Sequence, residues 1–362
     1  MPLQYFEKWV HNHHKDSVDC IGFSQDGVFL ASGSMDGTII ICDAASGTAL
    51  HIIHCRSGVL ALKWAPVRLH EVWCGLGDGR LLCIIIGKAK IQTLCFRAHN
   101  HPIEHLAFDR LGLKLATGAQ RELKVWKYMA QDHLQYINDL SPPGAMSLTS
   151  QEPTFVTSLH WLHSGDDAGC LLATYLYQGI SCCEPESGEI RWAIPLRSLI
   201  GHADLSPDEN RIAIFNQHNG IDVYKIPGAI WLASYHFTIR DNVMLPVYWI
   251  DEGLRLMVGS DSGTVCVWNV KNDSRLPSLL HGNCIVRALA AHYDFTTHTC
   301  RIATGTAETG TRTLIRLFET KELREGGTLV RPHSLQATHK LVSGIIAFDC
   351  DALSDLISQC HT

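Results

Sequence analysis

The sequence predicts an all-β protein in which four-stranded antiparallel blades form a closed ring, a seven-bladed β-propeller. The first observation is a meander of short apolar strands over residues 16–47, turned at Asp26-Gly27 and Asp36-Gly37. The second is that similar meanders recur along the chain with a period of about 40–46 residues. The third is the composition, 46% hydrophobic and 18% charged, which is typical of strands buried on both faces.

The chain begins with one isolated predicted strand, Leu3–Val10, ahead of the first complete meander. A lone strand has to pair somewhere, because its backbone groups need hydrogen-bond partners. In a closed ring its natural place is the outer edge of the last blade, where it fastens the circle and covers a free edge. We therefore expect residues 1–14 to form the closing strand.

Seven units follow the closing strand, and each contains short strands around a hairpin. The pattern lapses between Met129 and Thr154, where Pro142-Pro143-Gly144 indicates a loop or an insertion on one face. The propeller is expected to occupy residues 1–320, with blades near 16–50, 55–91, 99–128, 154–192, 197–233, 240–276 and 281–320.

The segment 321–362 does not continue the repeat. Val342–Asp349 is similar to the start of a blade, but no hairpin follows it. We expect a C-terminal extension that packs on the ring. The start of a segment truncated at Thr362 is the alternative.

The charge and cysteine content exclude several classes of partner. The net charge is −6 and no run of Lys or Arg exceeds two residues, so neither a nucleic acid nor a membrane surface is expected as a partner. The first fourteen residues do not have the pattern of a secretory signal. Most of the fourteen cysteines lie inside apolar strands, which favours reduced thiols in an intracellular protein. We expect a cytoplasmic monomer, with the nucleus left open.

Two segments carry a resemblance to a known family. Ser32–Asp43 and Gly259–Asn269 resemble WD repeats, and the resemblance covers roughly residues 16–320. It implies a seven-bladed propeller that acts as a non-catalytic protein-interaction scaffold. It also implies a hydrogen-bonded tetrad inside a blade, made of a His before the first strand, a Ser or Thr on the second, an Asp in the hairpin and a Trp on the third.

No blade of this chain matches the tetrad in full. We therefore expect hydrophobic packing between the sheets to carry most of the stability. The nearest matches are His14, Ser32 and Asp36 with Cys42 in place of Trp in blade one; Asp78 with Cys74 and Ile84 in blade two; His99, Thr117 and Trp126 with Gln120 or Arg121 in place of Asp in blade three; and Trp268 with Val258 and Ser262 in blade six.

The chemical motifs favour no catalytic residue, no cofactor and no metal. The twenty-one histidines include a cluster at His11, His13 and His14, but this run lies in a loop without fixed geometry. Cys182-Cys183 lacks the spacing of a metal site. There is no G-x-S-x-G or H-E-x-x-H motif, and the glycine-rich Gly75–Gly79 is a hairpin. The chain is not expected to be an enzyme.

The remaining hypothesis concerns a surface. Loops that precede the first strands and hairpins between the second and third strands collect on one face of a propeller, around its central channel. Their polar residues of both signs suit a protein or peptide partner better than a polyanion. The predicted rim consists of His14, Lys15, Arg56, His99, Asn100, Tyr177, Gln178, Gln217, His218, Arg240, Asp241, Asn242, Asp261 and Glu308.

The alternative function uses the channel itself. A propeller enzyme, or a binder of a small ligand or metal, would place its chemistry there. Carboxylates or histidines that converge on the channel with strongly shifted pKa values would favour this alternative. A broad rim with exposed apolar side chains would favour the protein binder.

Overall fold

The structure is a computed structural model, and it describes residues 3–87, 90–129, 133–143, 153–241, 243–310, 313–322 and 344–346. Short strands separated by turns dominate these residues. One 3-10 turn, Asp251–Gly253, is the helical element in the described part of the chain. The strands form seven sheets, so the predicted all-β class and the number of blades are confirmed.

Blades one to four each contain four consecutive antiparallel strands. The strands of blade one are β2 (Val18–Phe23), β3 (Phe29–Ser34), β4 (Thr38–Asp43) and β5 (Ala49–His54); of blade two, β6 (Val59–Trp64), β7 (Glu71–Leu76), β8 (Arg80–Ile86) and β9 (Ile91–Arg97); of blade three, β10 (His105–Phe108), β11 (Lys114–Ala119), β12 (Glu122–Met129) and β13 (His133–Asp139); of blade four, β14 (Val156–Trp161), β15 (Leu171–Tyr175), β16 (Gly179–Cys183) and β17 (Ile190–Ile194).

Blades five to seven repeat the arrangement with changes at the outer edge. The strands of blade five are β18 (His202–Leu205), β19 (Arg211–Phe215), β20 (Gly220–Lys225) and β21 (Ile230–His236); of blade six, β22 (Val247–Ile250), β23 (Arg255–Val258), β24 (Thr264–Asn269) and two short outer pieces, β25 (Ser274–Arg275) and β26 (Leu279–Leu280); of blade seven, β27 (Val286–Asp294), β28 (Thr299–Thr306), β29 (Ile315–Glu322) and the leading strand β1 (Leu3–His11).

The ring is closed by its first strand, as predicted. β1 pairs antiparallel with β29 from Leu3↔Glu322 to His11↔Ile315, so the two ends of the propeller share one sheet. The Trp9 indole also donates a hydrogen bond to the Ala44 carbonyl at 3.2 Å. The closing strand therefore contacts the first blade as well as the last.

The prediction of a loop after Met129 is wrong in part. Residues 133–139 form β13, the outer strand of blade three, paired with β12 through a bulge at Val125/Trp126. The extra residue of the bulge, Ile137, hides this strand from a pattern search, because it breaks the alternation of apolar residues. Farther along, β30 (Gly344–Ile346) pairs in parallel with β5. Most of the remaining extension, 323–343 and 347–362, lies outside the described residues.

The described residues do not share one core. They form seven apolar clusters, and each cluster lies between two neighbouring blades. Between blades one and two, for example, Ile39 and Ile41 pack against Val72 and Ile84. A chain of 362 residues thus avoids the size limit of a single core, because every blade buries its faces against its neighbours.

Three tryptophans lock pairs of blades together. Each lies at or near the end of the innermost strand of its blade and donates its indole N–H to an innermost-strand carbonyl of the preceding blade. The bonds are Trp64 to Gly22 at 2.9 Å, Trp161 to Ala107 at 2.9 Å and Trp249 to Asp204 at 3.1 Å. These residues are core side chains rather than platforms for a ligand.

The twelve cysteines within the described residues are free thiols. This fits the expectation of reduced cysteines packed as small apolar side chains. In the same residues, no helix has the length and apolar character needed to cross a bilayer.

Candidate functional site

The loop-rich face is built from two sets of loops. We use the term leading loop for the loop before each innermost strand. The hairpin of blade seven contacts the leading loop of blade one, because the Gly310 N–H donates to the Lys15 carbonyl at 2.8 Å. In blade two, the Gly77 N–H donates to the Gly58 carbonyl at 2.9 Å. Leading loops and hairpins therefore meet on one face, where the sequence analysis placed the binding rim.

An acidic side chain fixes the leading loop in two of these blades. In blade one, Asp36 accepts the Lys15 backbone N–H at 2.7 Å. In blade six, Asp261 accepts the backbone N–H groups of Arg240 and Asp241. Burial alone would raise the pKa of Asp36, but hydrogen bonds from His14, Lys15 N–H and Thr38 together lower it well below its usual range. The position of the loop thus depends on a charged carboxylate.

Blade three contains a complete tetrad with a glutamate. The His99 ring bonds the Thr117 hydroxyl at 2.6 Å and the Glu122 carboxylate at 2.9 Å. The Trp126 indole donates to the same hydroxyl at 2.9 Å. The sequence analysis found Gln120 or Arg121 in place of the acid and expected no full tetrad in blade three, and this was wrong because Glu122 supplies the acid. The hairpin of blade three is one residue shorter than that of blade one, so a longer acid from the start of β12 reaches the histidine.

Blade seven contains a partial network that the sequence analysis missed. His281 is buried and its Nε2 bonds the Thr304 hydroxyl, but its Nδ1 has no hydrogen-bond partner among the described residues. Burial, followed by the nearby Arg316 charge, lowers the pKa of His281 to about 3. The spacing concealed the signal, because His281 and Thr304 are 23 residues apart whereas His99 and Thr117 are 18 apart, and the first two strands of blade seven are longer than those of blade three.

The predicted rim residues divide by exposure. His14, His99, Gln178 and Asp261 are buried and serve the blade framework, so they cannot be contact residues for a partner. Tyr177, Gln217 and Glu308 are half-buried. Asn242 lies outside the described residues. The exposed set consists of Lys15, Arg56, Asn100, His218, Arg240 and Asp241.

Two exposed methionines extend this set. Met35 at the hairpin of blade one is 49% exposed and Met244 in the leading loop of blade six is 45% exposed. The sequence analysis included neither of them in the rim. Methionine adapts its shape to many surfaces and is common where a protein binds varied partners. The rim therefore offers apolar as well as charged contacts.

The central channel forms a cavity of about 450 Å³ lined by the innermost strands. Its polar side chains include five groups contributed by blades two to five: Lys63, His105, His160, His202 and Asp204. Burial is the main cause that lowers the pKa of His105 to about 4 and those of His160 and His202 to about 3. Burial also raises the pKa of Asp204 to about 7. The sequence analysis named none of these residues.

Hydrogen bonds fix which nitrogen carries the proton on two of the histidines. His160 Nε2 lies 3.1 Å from the Ala203 carbonyl, so it must be the N–H. His160 Nδ1 then presents a lone pair to Asp204 Oδ1 at 3.9 Å. His202 Nδ1 accepts the Val247 N–H at 3.2 Å, which leaves Nε2–H as its donor. The channel wall thus offers two hydrogen-bond acceptors that face each other, His160 Nδ1 and Asp204 Oδ1, and one separate donor, the His202 Nε2–H.

Ser158, His160 and Asp204 have the composition of a catalytic triad, but not its function. A triad needs an unprotonated nitrogen directed at the serine. The His160 nitrogen nearest Ser158, at 3.1 Å, is the one that donates to Ala203. The Ser158 hydroxyl is buried and bonds Thr174 at 2.7 Å. A histidine with a pKa of about 3 is also a weak base near neutral pH.

A charged pair lies elsewhere on the channel lining. Arg287 of blade seven contacts Asp19 Oδ1 of blade one at 3.2 Å. Burial raises the pKa of Asp19 and of the neighbouring Glu104, while Arg287 opposes the shift in both. Both features that the sequence analysis set as criteria are therefore present. Titratable groups converge on the channel, and apolar side chains are exposed on the rim.

The geometry of the blades agrees with a sequence comparison. The family described as "WD domain, G-beta repeat" matches residues 7–43, which span most of β1 and the first three strands of blade one. That match and the ring of seven four-stranded blades together decide the family. The chain is a WD-repeat β-propeller.

Two curated proteins show what this WD-repeat propeller is similar to. "Ribosome biogenesis protein BOP1" of Mus musculus is 32% identical over 65 residues, which cover 18% of the propeller chain and 9% of the mouse protein. "U3 snoRNP-associated protein-like EMB2271" of Arabidopsis thaliana is 26% identical over 136 residues, covering 37% and 28% respectively. The WD-repeat chain thus matches less than a third of either relative.

Proposed function

We propose that this WD-repeat propeller is a non-catalytic scaffold that binds a segment of a protein partner on its rim. The observation that carries the proposal is the rim itself. Carboxylate clamps hold the leading loops of blades one and six, while Lys15, Arg240 and Met244 remain exposed beside them. A fixed backbone with exposed charged and apolar side chains favours association, since little ordering entropy is lost on binding.

The relatives' names support a partner-binding role and are relevant to where in the cell the protein acts. One name refers to ribosome biogenesis and the other to association with a U3 snoRNP. They give no support to the cytoplasmic location expected from sequence, so we extend the proposal to a nuclear one. Imaging of a fluorescent fusion tests it. Exclusion of the fusion from nuclei would contradict it.

The experiment compares affinity-purified partners of wild type with those of a rim variant. Lys15→Glu combined with Arg240→Glu reverses two exposed charges whose side chains take no part in the clamps. Arg110→Glu, an exposed arginine after β10 at the opposite end of its blade, is the matched control. We expect the double variant, but not the control, to lose a defined set of partners at an unchanged melting temperature.

Two outcomes would contradict parts of the proposal. If the double variant keeps every partner, then the rim is not the binding surface. A nuclease-treated arm tests the expectation that no nucleic acid is bound, because the relatives' names make an RNA-containing assembly a relevant test case. Loss of partners after nuclease treatment would show that this expectation is wrong.

A second candidate function is binding of a small polar ligand in the channel. The observation that favours it is the facing pair of acceptors, His160 Nδ1 and Asp204 Oδ1, near the Lys63 ammonium and the His202 Nε2–H. A ligand with both donor and acceptor groups would complement this wall. Glycine and inorganic phosphate are suitable probes in thermal-shift titrations with Lys63→Gln as the control. Absence of a shift that depends on Lys63 would count against this candidate.

A further inference from the structure

A cluster of possible metal ligands lies in blade four, away from the rim. The sulfur atoms of Cys170 and Cys182 and a carboxylate oxygen of Asp167 all lie within 4.8 Å of one another. Asp167 and Cys170 belong to the loop between β14 and β15, at the opposite end of the blade from its hairpin. The cluster is thus separate from the proposed binding surface.

A fixed turn brings two of the three side chains together. The Cys170 N–H donates to the Asp167 carbonyl at 3.0 Å, and the Gly169 N–H donates to Leu162 at 2.7 Å. Gly169 has φ of +87°, a conformation that favours glycine and turns the chain back onto the sheet. The turn therefore places residues i and i+3 on one side of the loop.

The third side chain comes from the neighbouring strand. Cys182 pairs with Leu172 in the β15–β16 ladder, so it lies diagonally across from Cys170 on the same face of the sheet. Cys183, the next residue, points to the other face and contacts the Ser181 hydroxyl at 3.7 Å. The two adjacent cysteines are therefore in different environments, a distinction that the sequence spacing does not reveal.

Neighbouring side chains hold the Asp167 carboxylate in position and offset its negative charge. The Trp192 indole donates to Asp167 Oδ2 at 2.7 Å. Arg191 Nε lies 3.8 Å from Oδ1, and its side chain is 45% exposed. Hydrogen bonds of this kind hold metal-binding carboxylates in position. The guanidinium would also compensate the negative charge left when two thiolates and a carboxylate surround a divalent ion.

We propose that Asp167, Cys170 and Cys182 form a binding site for a thiophilic divalent cation, Zn²⁺. Thiolate sulfur and carboxylate oxygen are common zinc ligands, and tetrahedral geometry with Zn–S bonds of about 2.3 Å separates two sulfurs by about 3.8 Å. The two sulfur atoms lie within 4.8 Å of each other, so they are at most about 1 Å farther apart than this value. Three protein ligands leave the fourth position for water. Asp167, whose side chain is 20% exposed, provides access from the surface.

The test uses the full chain, reduced and treated with a chelator, and titrated with Co²⁺ and then Zn²⁺. Co²⁺ bound by thiolates gives a charge-transfer absorption band, which Zn²⁺ then removes. We expect one equivalent to bind. Cys182→Ser should weaken binding at least tenfold, and Asp167→Asn should weaken it as well. Cys183→Ser, the matched control, should bind as wild type does.

Melting temperatures of all variants without metal show whether they are folded. Zn²⁺ should also change the fluorescence of Trp192, which contacts one of the ligands. Two results would overturn the assignment: absence of a thiolate–cobalt band in wild type, or equal loss of the band in Cys182→Ser and Cys183→Ser.

Discussion

His160 of blade four and Asp204 of blade five face each other across a blade junction with two hydrogen-bond acceptors 3.9 Å apart. The Ala203 carbonyl fixes the proton on the far nitrogen of His160, so the imidazole cannot neutralise the carboxylate. The Asp204 carboxylate accepts the Trp249 N–H at 2.7 Å. This bond, the Lys63 charge and the Leu205 N–H do not offset the cost of burial, and the pKa of Asp204 rises to about 7.

Asp204→Asn should stabilise the protein at neutral and alkaline pH. Between about pH 4 and pH 7 the Asp204 carboxyl is protonated in the native protein but ionised in the unfolded chain. The contribution of Asp204 to the free energy of unfolding of wild type therefore falls progressively as the pH rises through this range. Asparagine keeps the acceptor for the Trp249 N–H and carries no charge. We expect a gain of about 1–3 kcal/mol at pH 8 and none below about pH 4. Urea unfolding at both pH values measures it.

Asp208→Asn is the control for this prediction. Burial opposes ionisation of Asp208, but the Ser206 and Asn210 hydrogen bonds and the Arg211 charge together lower the pKa of its carboxyl below the usual range. Its substitution should therefore give no stabilisation at pH 8. An Asp204→Asn variant no more stable than Asp208→Asn at that pH would contradict the argument.

Four histidines with lowered pKa values should make wild type less stable in acid. Burial lowers the pKa of His105 to about 4 and those of His160, His202 and His281 to about 3. An unfolded histidine binds a proton near pH 6.5, so acidification favours the unfolded chain. Together the four histidines lower the free energy of unfolding by at most about 5 kcal/mol for each pH unit of acidification. Protonation of Asp204 offsets about 1.4 kcal/mol of that loss. We expect the urea midpoint to fall between pH 7 and pH 5; a flat profile would refute this.

The repeat could be predicted from sequence because short-range chemistry determines it. Asp-Gly turns and alternating apolar residues depend on neighbours in the chain, so Asp36-Gly37 and Asp78-Gly79 marked their hairpins correctly. β13 was missed because a bulge interrupts that local pattern. Glu122 was missed because the length of a hairpin decides which acid reaches the histidine.

The polar channel wall could not be predicted from one sequence. Lys63 and His160 are 97 residues apart along the chain, His160 and Asp204 are 44 residues apart, and the three meet only when the ring closes. Each looks like an ordinary polar residue on an alternating strand. The exposed fraction of a loop side chain could not be predicted from the sequence either. His14 and His99 occupy loop positions typical of rim residues, yet their hydrogen bonds lie inside the blades.

Trp249→Phe should cost about 1–2 kcal/mol of stability through one hydrogen bond. The phenyl ring keeps most of the packing between blades five and six, but it cannot donate to the Asp204 carbonyl. Trp231→Phe is the matched control, since Trp231 is 59% exposed on an outer strand. Chemical unfolding should separate the two variants clearly. Equal losses would show that the indole bond between blades contributes nothing measurable.

Thr117→Val should be more costly than Thr304→Val, although both remove one buried hydroxyl. The Thr117 hydroxyl forms hydrogen bonds with two side-chain rings, those of His99 and Trp126. Among the described residues, the Thr304 hydroxyl bonds one ring, that of His281. Removing Thr117's hydroxyl leaves two buried polar groups unsatisfied, for a cost of about 2–4 kcal/mol against about 1–2 for Thr304. Unfolding free energies give the comparison, and the reverse order would contradict it.

Deleting residues 1–10 should cost several kcal/mol, because it opens the ring at its closure. The deletion removes the pairing partners of β29 between Leu3↔Glu322 and Val10↔Arg316 and exposes a long strand edge. It also removes the Trp9 bond to Ala44, so blade one loses its link to the closing strand. Trp9→Phe isolates that second effect, at about 1 kcal/mol. The melting temperature should fall far more in the deletion than in Trp9→Phe, and an unchanged value in the deletion would rule out closure by the first strand.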